Sequence, residues 1–195
     1  MRIFRKRLAW LAALTALAAA GVAALPVASQ ATTAASVTLS AGSLAFINST
    51  PAATVTFPTT TLNGTNLTVT GTLAFDIGDA TGSGAGWNVT GTSTTFKSGA
   101  NVLPTTATTI QAAPAASCDT GAAGCTPATA SVSFPYTLPA ATVAPTATKL
   151  FNASANTGMG NQTFTPTWTL AIPANAVASG TAYTSTWTFS LVSGP

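Results

Sequence analysis

The sequence predicts an all-β fold: an antiparallel β-sandwich preceded by a helical signal peptide. After residue 30, apolar and polar residues alternate in run after run, which is typical of strands that bury one face. Glycine and proline clusters separate these runs, and prolines within the Ala-rich pieces exclude a continuous helix. Several short strands with turn signals between them favour an antiparallel sandwich or barrel.

The chain begins with the pattern of a secretory signal peptide. Residues 2–7 are mostly basic, an apolar stretch runs over Leu8–Leu25, and small residues follow it. This order predicts a signal peptide over residues 1–29, with cleavage after Ser29 or Ala31. The alternative is an uncleaved anchor, since the apolar stretch approaches the length of a membrane span. We therefore expect an exported, extracellular protein at the cell surface, with no membrane span after signal cleavage.

The chain after the signal peptide divides into a short exposed tail, residues 30–35, and a single domain, residues 36–195. The longer alternating runs predict strands at 67–77, 87–91, 132–138, 164–172 and 183–191, with shorter candidates at 36–40, 44–47, 53–57 and 147–152. In the clearest run, 67–77, one face is apolar and the other is mostly threonine. Pro166 interrupts the run 164–172, which predicts a sheet edge or a bulge there.

Two cysteines, Cys118 and Cys125, flank six small or polar residues. An even number of cysteines in an exported chain predicts a disulfide bond. A redox or metal-binding pair is the alternative, but it requires a tighter spacing or further ligands. The disulfide is expected to hold one long connection in shape.

The charged residues argue against a nucleic-acid partner. The formal net charge is +3, yet four of the six basic residues lie in the signal peptide. The rest of the chain carries Lys97 and Lys149 against three aspartates, a net charge of −1. Neutralising phosphates requires a basic patch, and none is present.

The same inventory argues against catalysis. The chain contains no His and no Glu, and its only acidic residues are Asp76, Asp79 and Asp119. General acid–base chemistry, a Ser–His–Asp triad and the common metal sites all draw on residues that are missing. We therefore predict no enzyme activity, no metal and no cofactor. Calcium held by Asp76 and Asp79 is the alternative, but two carboxylates make a poor site.

Two segments are distinctive. In the first, a glycine-rich turn after Asp79 leads through Gly86 to Trp87, where a strand begins. Asp79 is expected to cap this turn through the backbone. The second is the amphipathic C-terminal segment from Tyr183 to Pro195. Trp87, Trp187 and Phe189 are in phase with apolar neighbours, which favours burial over contact with a ligand.

Together the two segments resemble the WxL family of bacterial surface domains, over roughly residues 36–195. The residues that carry the resemblance are Asp79, Gly86, Trp87 and Val89 in the first motif, and Tyr183, Phe189, Leu191 and Pro195 in the second. Val89 stands where that family has Leu, and Phe189 stands where it has Trp. The resemblance implies a β-sandwich that associates non-covalently with the cell wall, with peptidoglycan as the partner, and it implies no catalysis.

The sequence leaves more than one function open. The leading hypothesis is a secreted wall-binding module that contacts a cell-wall glycan or other surface proteins. The first alternative is a structural subunit of a surface fibre or coat, since low charge and Thr-faced strands favour assembly through strand edges. A weaker alternative is an ice- or crystal-surface binder with a threonine ladder at residues 68, 70 and 72, although the chain lacks a regular repeat.

Overall fold

The computed structural model describes residues 31–195; the predicted signal peptide lies outside them. This part of the chain contains no helix and forms fourteen strands. The strands are β1 (Leu44–Phe46), β2 (Leu67–Thr72), β3 (Phe75–Asp79), β4 (Trp87–Thr94), β5 (Lys97–Ser98), β6 (Asn101–Val102), β7 (Thr108–Ile110), β8 (Ala116–Cys118), β9 (Tyr136–Thr137), β10 (Ala140–Ala141), β11 (Thr148–Ala153), β12 (Gly160–Phe164), β13 (Thr167–Ile172) and β14 (Trp187–Ser193). No helix of residues 31–195 has the length and apolarity that a membrane span requires.

The strands form three four-stranded sheets and one short hairpin, β5–β6. The first sheet has the order β1-β3-β12-β8, and the third has the order β2-β13-β7-β9. In the second sheet, β4 pairs with β14 on one side and with β11 and β10 on the other. Every pairing is antiparallel except the two-residue pair β10–β4. The predicted all-β antiparallel sandwich is therefore confirmed.

One bent ribbon links the first and third sheets and corrects two strand predictions. The runs 67–77 and 164–172 were each expected to be a single strand, but each is divided. Strand β2 pairs with β13 in the third sheet, and β3 pairs with β12 in the first. The chain changes sheet between Thr72 and Phe75 and again between Phe164 and Thr167. Proline lacks the N–H that a ladder needs, so Pro166 lies at this corner and not at an edge or bulge within one strand.

The interior is dominated by aromatic rings from the first and second sheets. Phe164 stacks between Phe75, at a centroid distance of 5.0 Å, and Phe151, at 4.2 Å. Trp87 packs beside Phe151 and Phe164 at 6.1 and 6.5 Å. A second, smaller cluster of buried residues joins β2 and β13 to the loop after β6: Val69, Leu103, Ala107 and Leu170. Rings packed this way contribute beyond the area that they bury.

Four other strand predictions need correction. Residues 36–40 and 53–57 form no strand, only Tyr136–Thr137 of the run 132–138 is a strand, and the run 183–191 is a strand only from Trp187 onward. The segment 53–57 is irregular although Val55 and Phe57 pack against the core. Alternation shows which side chains are apolar, but a strand also requires a neighbouring edge with free peptide groups.

The predicted disulfide is confirmed. Cys118 and Cys125 are bonded, with a Cα–Cα distance of 6.0 Å, as predicted. The bond closes the loop that follows β8, on the outer margin of the first sheet. The compact unit spans Leu39–Pro195.

Candidate functional site

The first motif is a turn whose polar groups are satisfied internally. Asp79 is buried at the end of β3, and its Oδ1 accepts hydrogen bonds from the backbone N–H and the hydroxyl of Thr81, at 3.0 and 2.7 Å. The expected capping role of Asp79 is thus confirmed. Asp76 and Asp79 are three residues apart on one strand, so their side chains project from opposite faces of the sheet. The calcium arrangement weighed for this pair therefore does not form.

Position 86, where the turn enters β4, requires glycine. Its φ is +76°, and a Cβ would lie 2.3 Å from the carbonyl oxygen of Ala153. Left-handed backbone favours glycine because it has no Cβ to clash. Gly86 thus allows β4 to run close beside the end of β11.

Trp87 is a core residue. Its side chain is 0 % exposed, and its Nε1 donates a hydrogen bond of 2.9 Å to the carbonyl of Gly158. A Cβ on Gly158 would lie 2.6 Å from this nitrogen, so the small residue makes room for the indole. Val89, two residues along the strand, is also 0 % exposed. The burial expected of Trp87 is confirmed, and this residue cannot contact a ligand in the folded protein.

The structure brings the two motifs together as neighbouring strands. Strand β14 runs antiparallel to β4 and places Leu191 opposite Val89 and Phe189 opposite Gly91. The C-terminal end is tied to the first motif by two bonds. The backbone N–H of Gly194 donates to the Gly86 carbonyl at 2.9 Å, and the Asn88 amide donates to the Gly194 carbonyl at 2.7 Å. Pro195 follows and is exposed.

Residues 183–189, which include Tyr183 and Phe189 of the second motif, line an open groove, here called the edge groove, of about 650 Å³. Its walls and floor are formed by Phe46, residues 51–55, Leu73, Phe96 and residues 183–189. Trp187 and Phe189 are half-buried there, so the burial expected of them is only partial. Tyr183 precedes β14, and its hydroxyl donates to the Val177 carbonyl at 2.8 Å.

Trp187 lines the edge groove and packs among other aromatic rings. Its ring packs on Trp168 at 4.8 Å and meets Phe57 and Phe96 edge-on at 6.3 and 6.2 Å. These three rings fix the position of the indole. The sequence marks Trp187 as one of an apolar series, but it does not show that this series lies on an edge strand.

A second surface is an array of threonines on the outer face of the third sheet, here called the threonine face. Its central row crosses all four strands and consists of Thr70, Thr169, Thr109 and Thr137. The face is completed by Thr68, Thr72 and Thr167. Adjacent strands lie about 4.8 Å apart, so the hydroxyls repeat at that spacing across the sheet. The sequence shows the ladder on β2, but only strand pairing adds the threonines of the other three strands.

Two carboxyl groups face strand β12 on the outer side of the first sheet. Asp76 lies opposite Thr163, whose hydroxyl donates to Oδ1 of Asp119 at 2.9 Å. Asp76 is 6 % exposed; its Oδ2 accepts a hydrogen bond from the Asn48 amide, and its Oδ1 accepts none. Burial raises the pKa of Asp76; the bond from Asn48 opposes that rise, and the nearby charge of Asp119 adds to it.

Residues 31–195 contain no group of three or more His, Cys, Asp or Glu side chains that could hold a metal ion. No protein family, no curated protein and no solved structure matches this chain.

Proposed function

We propose that this protein is a secreted, non-catalytic surface protein that associates non-covalently with the peptidoglycan of the bacterial cell wall. The observation that supports the proposal most directly is the threonine face, with its row Thr70, Thr169, Thr109 and Thr137 across four strands. The resemblance of the two sequence motifs to WxL domains supports the same function.

The threonine face has the chemistry that a glycan requires. A threonine hydroxyl donates one hydrogen bond and accepts two, so it can pair with sugar hydroxyls and amide carbonyls. Strand pairing fixes the backbone positions of these threonines, so binding would order few groups. The seven threonines of the face are neutral, and binding through them is expected to change little with salt concentration.

The test is co-sedimentation with purified, insoluble peptidoglycan. Protein purified after expression of the full chain, with its N-terminus identified by mass spectrometry, is expected to pellet with the wall. The variant T70V/T137V/T169V removes three hydroxyls while keeping side-chain shape and strand propensity. A net hydrogen bond contributes about 0.5–1.5 kcal/mol, so retention should fall by about tenfold or more.

A matched control separates the threonine face from hydroxyls in general. Thr90 and Ser190 face each other on β4 and β14, in another sheet. The variant T90V/S190A should therefore bind the wall like the unchanged protein, and all proteins are checked for folding by thermal melting. If the folded, unchanged protein stays in the supernatant, wall binding is wrong. Thermal hysteresis in its place would favour the ice-binding alternative.

A second candidate function is a structural subunit that assembles through strand edges. The observation that favours it is strand β14, which pairs with β4 on one side and has no paired strand on the other within residues 31–195. An unpaired strand edge is a template for a further strand.

A further inference from the structure

We propose that residues 36–40 of a second copy of this chain bind as an extra strand in the edge groove, along the free side of β14. The proposal rests on the second candidate function, assembly through strand edges, and is independent of wall binding. It names both the donor segment and the acceptor site.

The acceptor is a row of peptide groups that the fold leaves unpaired. The N–H of Thr94 donates to the Thr186 carbonyl, and the N–H of Gly194 donates to the Gly86 carbonyl, both at 2.9 Å. In an antiparallel ladder, alternate residues bond to the same neighbour. The even-numbered residues of β14 therefore point toward β4, and the peptide groups of Trp187, Phe189 and Leu191 point away from it.

The opposite side of the groove also ends in an unpaired strand edge. Phe46 of β1 lines the groove, and β1 pairs only with β3 within residues 31–195. Ser43 and Ile47 form the backbone bonds to β3, to Ala80 and Asp76, at 3.1 and 2.9 Å. By the same alternation, the peptide groups of Leu44 and Phe46 face away from β3. Cα atoms of β1 and β14 lie within 8 Å of each other, which leaves no room for a strand between them. The added strand would therefore pair with β14, and β1 would only border it.

The donor is a strand-like segment that lacks a strand partner. Residues 36–40 read Ser-Val-Thr-Leu-Ser, an alternating pattern that predicts a strand, yet they are unpaired. Val37 and Leu39 are 81 % and 86 % exposed. Since alternate side chains of a strand share one face, both would point to the same side, toward the apolar lining at Trp187 and Phe189.

The two surfaces are compatible in charge and in chain geometry. Neither residues 36–40 nor the lining of the groove carries a charged side chain. Within one chain the segment is tethered close to Gly42 and Ser43, which are already bonded to Ala80 at the end of β3. A second copy is not tethered there, and its bond pattern would be that of β-strand addition.

The first experiment measures self-association in the absence of cell wall. In a sedimentation-velocity series, the protein from the full chain should form oligomers as its concentration rises. The donor variant V37S/L39S should remain monomeric and raise the dissociation constant at least tenfold. Val143 is equally exposed at 81 % but lies elsewhere, so V143S should associate like the unchanged protein.

Complementation tests the acceptor without damaging the core. Ala53 is exposed on the groove wall, and Ala53→Lys would place a long charged side chain there. Each variant alone should be monomeric, whereas an equimolar mixture of V37S/L39S and A53K should form heterodimers. The first has an intact groove and the second an intact donor segment.

Cross-linking locates the contact. With Thr38→Cys in one copy and Thr188→Cys in the other, oxidation should yield a disulfide-linked dimer, whereas Thr38→Cys with Thr90→Cys should not. A monomer at all concentrations, or association unaffected by V37S/L39S, would overturn the proposal. Amide protection of residues 36–40 in the monomer would overturn it too, by placing the segment in its own groove. Retention of monomeric V37S/L39S by peptidoglycan would show that wall binding does not depend on self-association. The two proposals can therefore be tested separately.

Discussion

Trp87 and Trp187 lie on adjacent strands of one sheet, yet their surroundings differ sharply. Trp87 begins β4, which has paired strands on both sides, and its ring is 0 % exposed. Trp187 begins β14, which is paired on one side within residues 31–195, and its ring is half-buried at the edge groove. Both residues alternate with polar neighbours in the same way. Position within the sheet, and not residue type or periodicity, separates a core tryptophan from one at an accessible surface.

The comparison also separates two kinds of motif residue. The residues around Trp87 build the interior: Gly86 permits close packing, and Val89 is fully buried. The residues around Trp187 border solvent, and Phe189 and Leu191 expose unpaired peptide groups. Changes near Trp87 should therefore affect stability, and changes near Trp187 should affect association.

The largest expected difference is between the two alanine substitutions. Trp87→Ala removes a fully buried indole and should lower the free energy of unfolding by about 3–5 kcal/mol. Trp187→Ala removes a half-buried ring and should cost about 1–2 kcal/mol. Urea unfolding of the two variants measures the difference. Equal losses would contradict the contrast between central and edge strands.

Two glycines in the turn before β4 are expected to differ in the same way, one in open space and one closely packed. Gly82 and Gly86 both have positive φ, but a Cβ at Gly82 meets nothing within 4 Å. Gly82→Ala should cost about 1–2 kcal/mol from the left-handed backbone alone. Gly86→Ala should cost more, because its Cβ would overlap the Ala153 carbonyl oxygen. Thermal melting of both variants checks this order, and a smaller loss at Gly86 would show that the turn can shift.

The smallest expected effect is on the pH dependence of stability, and it comes from Asp76 on the outer side of the first sheet. The pKa of Asp76 is raised above 3.8 in the folded state, mainly by burial. The folded protein therefore binds this proton more tightly than the unfolded chain does. The stabilisation from that proton is present below 3.8 and is lost as pH rises through the raised pKa.

Asp76→Asn should therefore weaken the pH dependence of the free energy of unfolding. Unfolding free energies between about pH 7 and about pH 3 should show less gain on acidification in this variant than in the unchanged protein. Asp119→Asn removes only the neighbouring charge and should reduce the gain partially. An unchanged slope in Asp76→Asn would mean that Asp76 is no more protonated in the folded than in the unfolded state.

The features that could be predicted from the sequence follow from local chemistry. The all-β class follows from alternation and from prolines in the Ala-rich pieces, and the disulfide follows from the two cysteines. The cap at Asp79 follows from the tendency of aspartate to bond its own backbone. Each depends on residues close in sequence.

Features that depend on partners distant in sequence could not be read. The run 67–77 alternates without a break, but it divides because β2 and β3 pair with different strands, β13 and β12. Residues 36–40 alternate just as clearly and remain unpaired. Asp76 and Asp119 are brought near each other by Thr163 of β12, which lies opposite Asp76 and bonds to Asp119. None of these pairings leaves a trace in local periodicity.

The sequence by itself determined which residues are apolar, which segments can be strands and where turns and the disulfide fall, because backbone preference and side-chain polarity act over a few residues. Only the tertiary structure decided which strands lie at the centre of a sheet and which at an edge. Burial of one face is a local property, whereas the pairing of both edges depends on which other strands arrive beside it. Trp87 and Trp187 therefore follow one pattern in the sequence and occupy two different places in the fold.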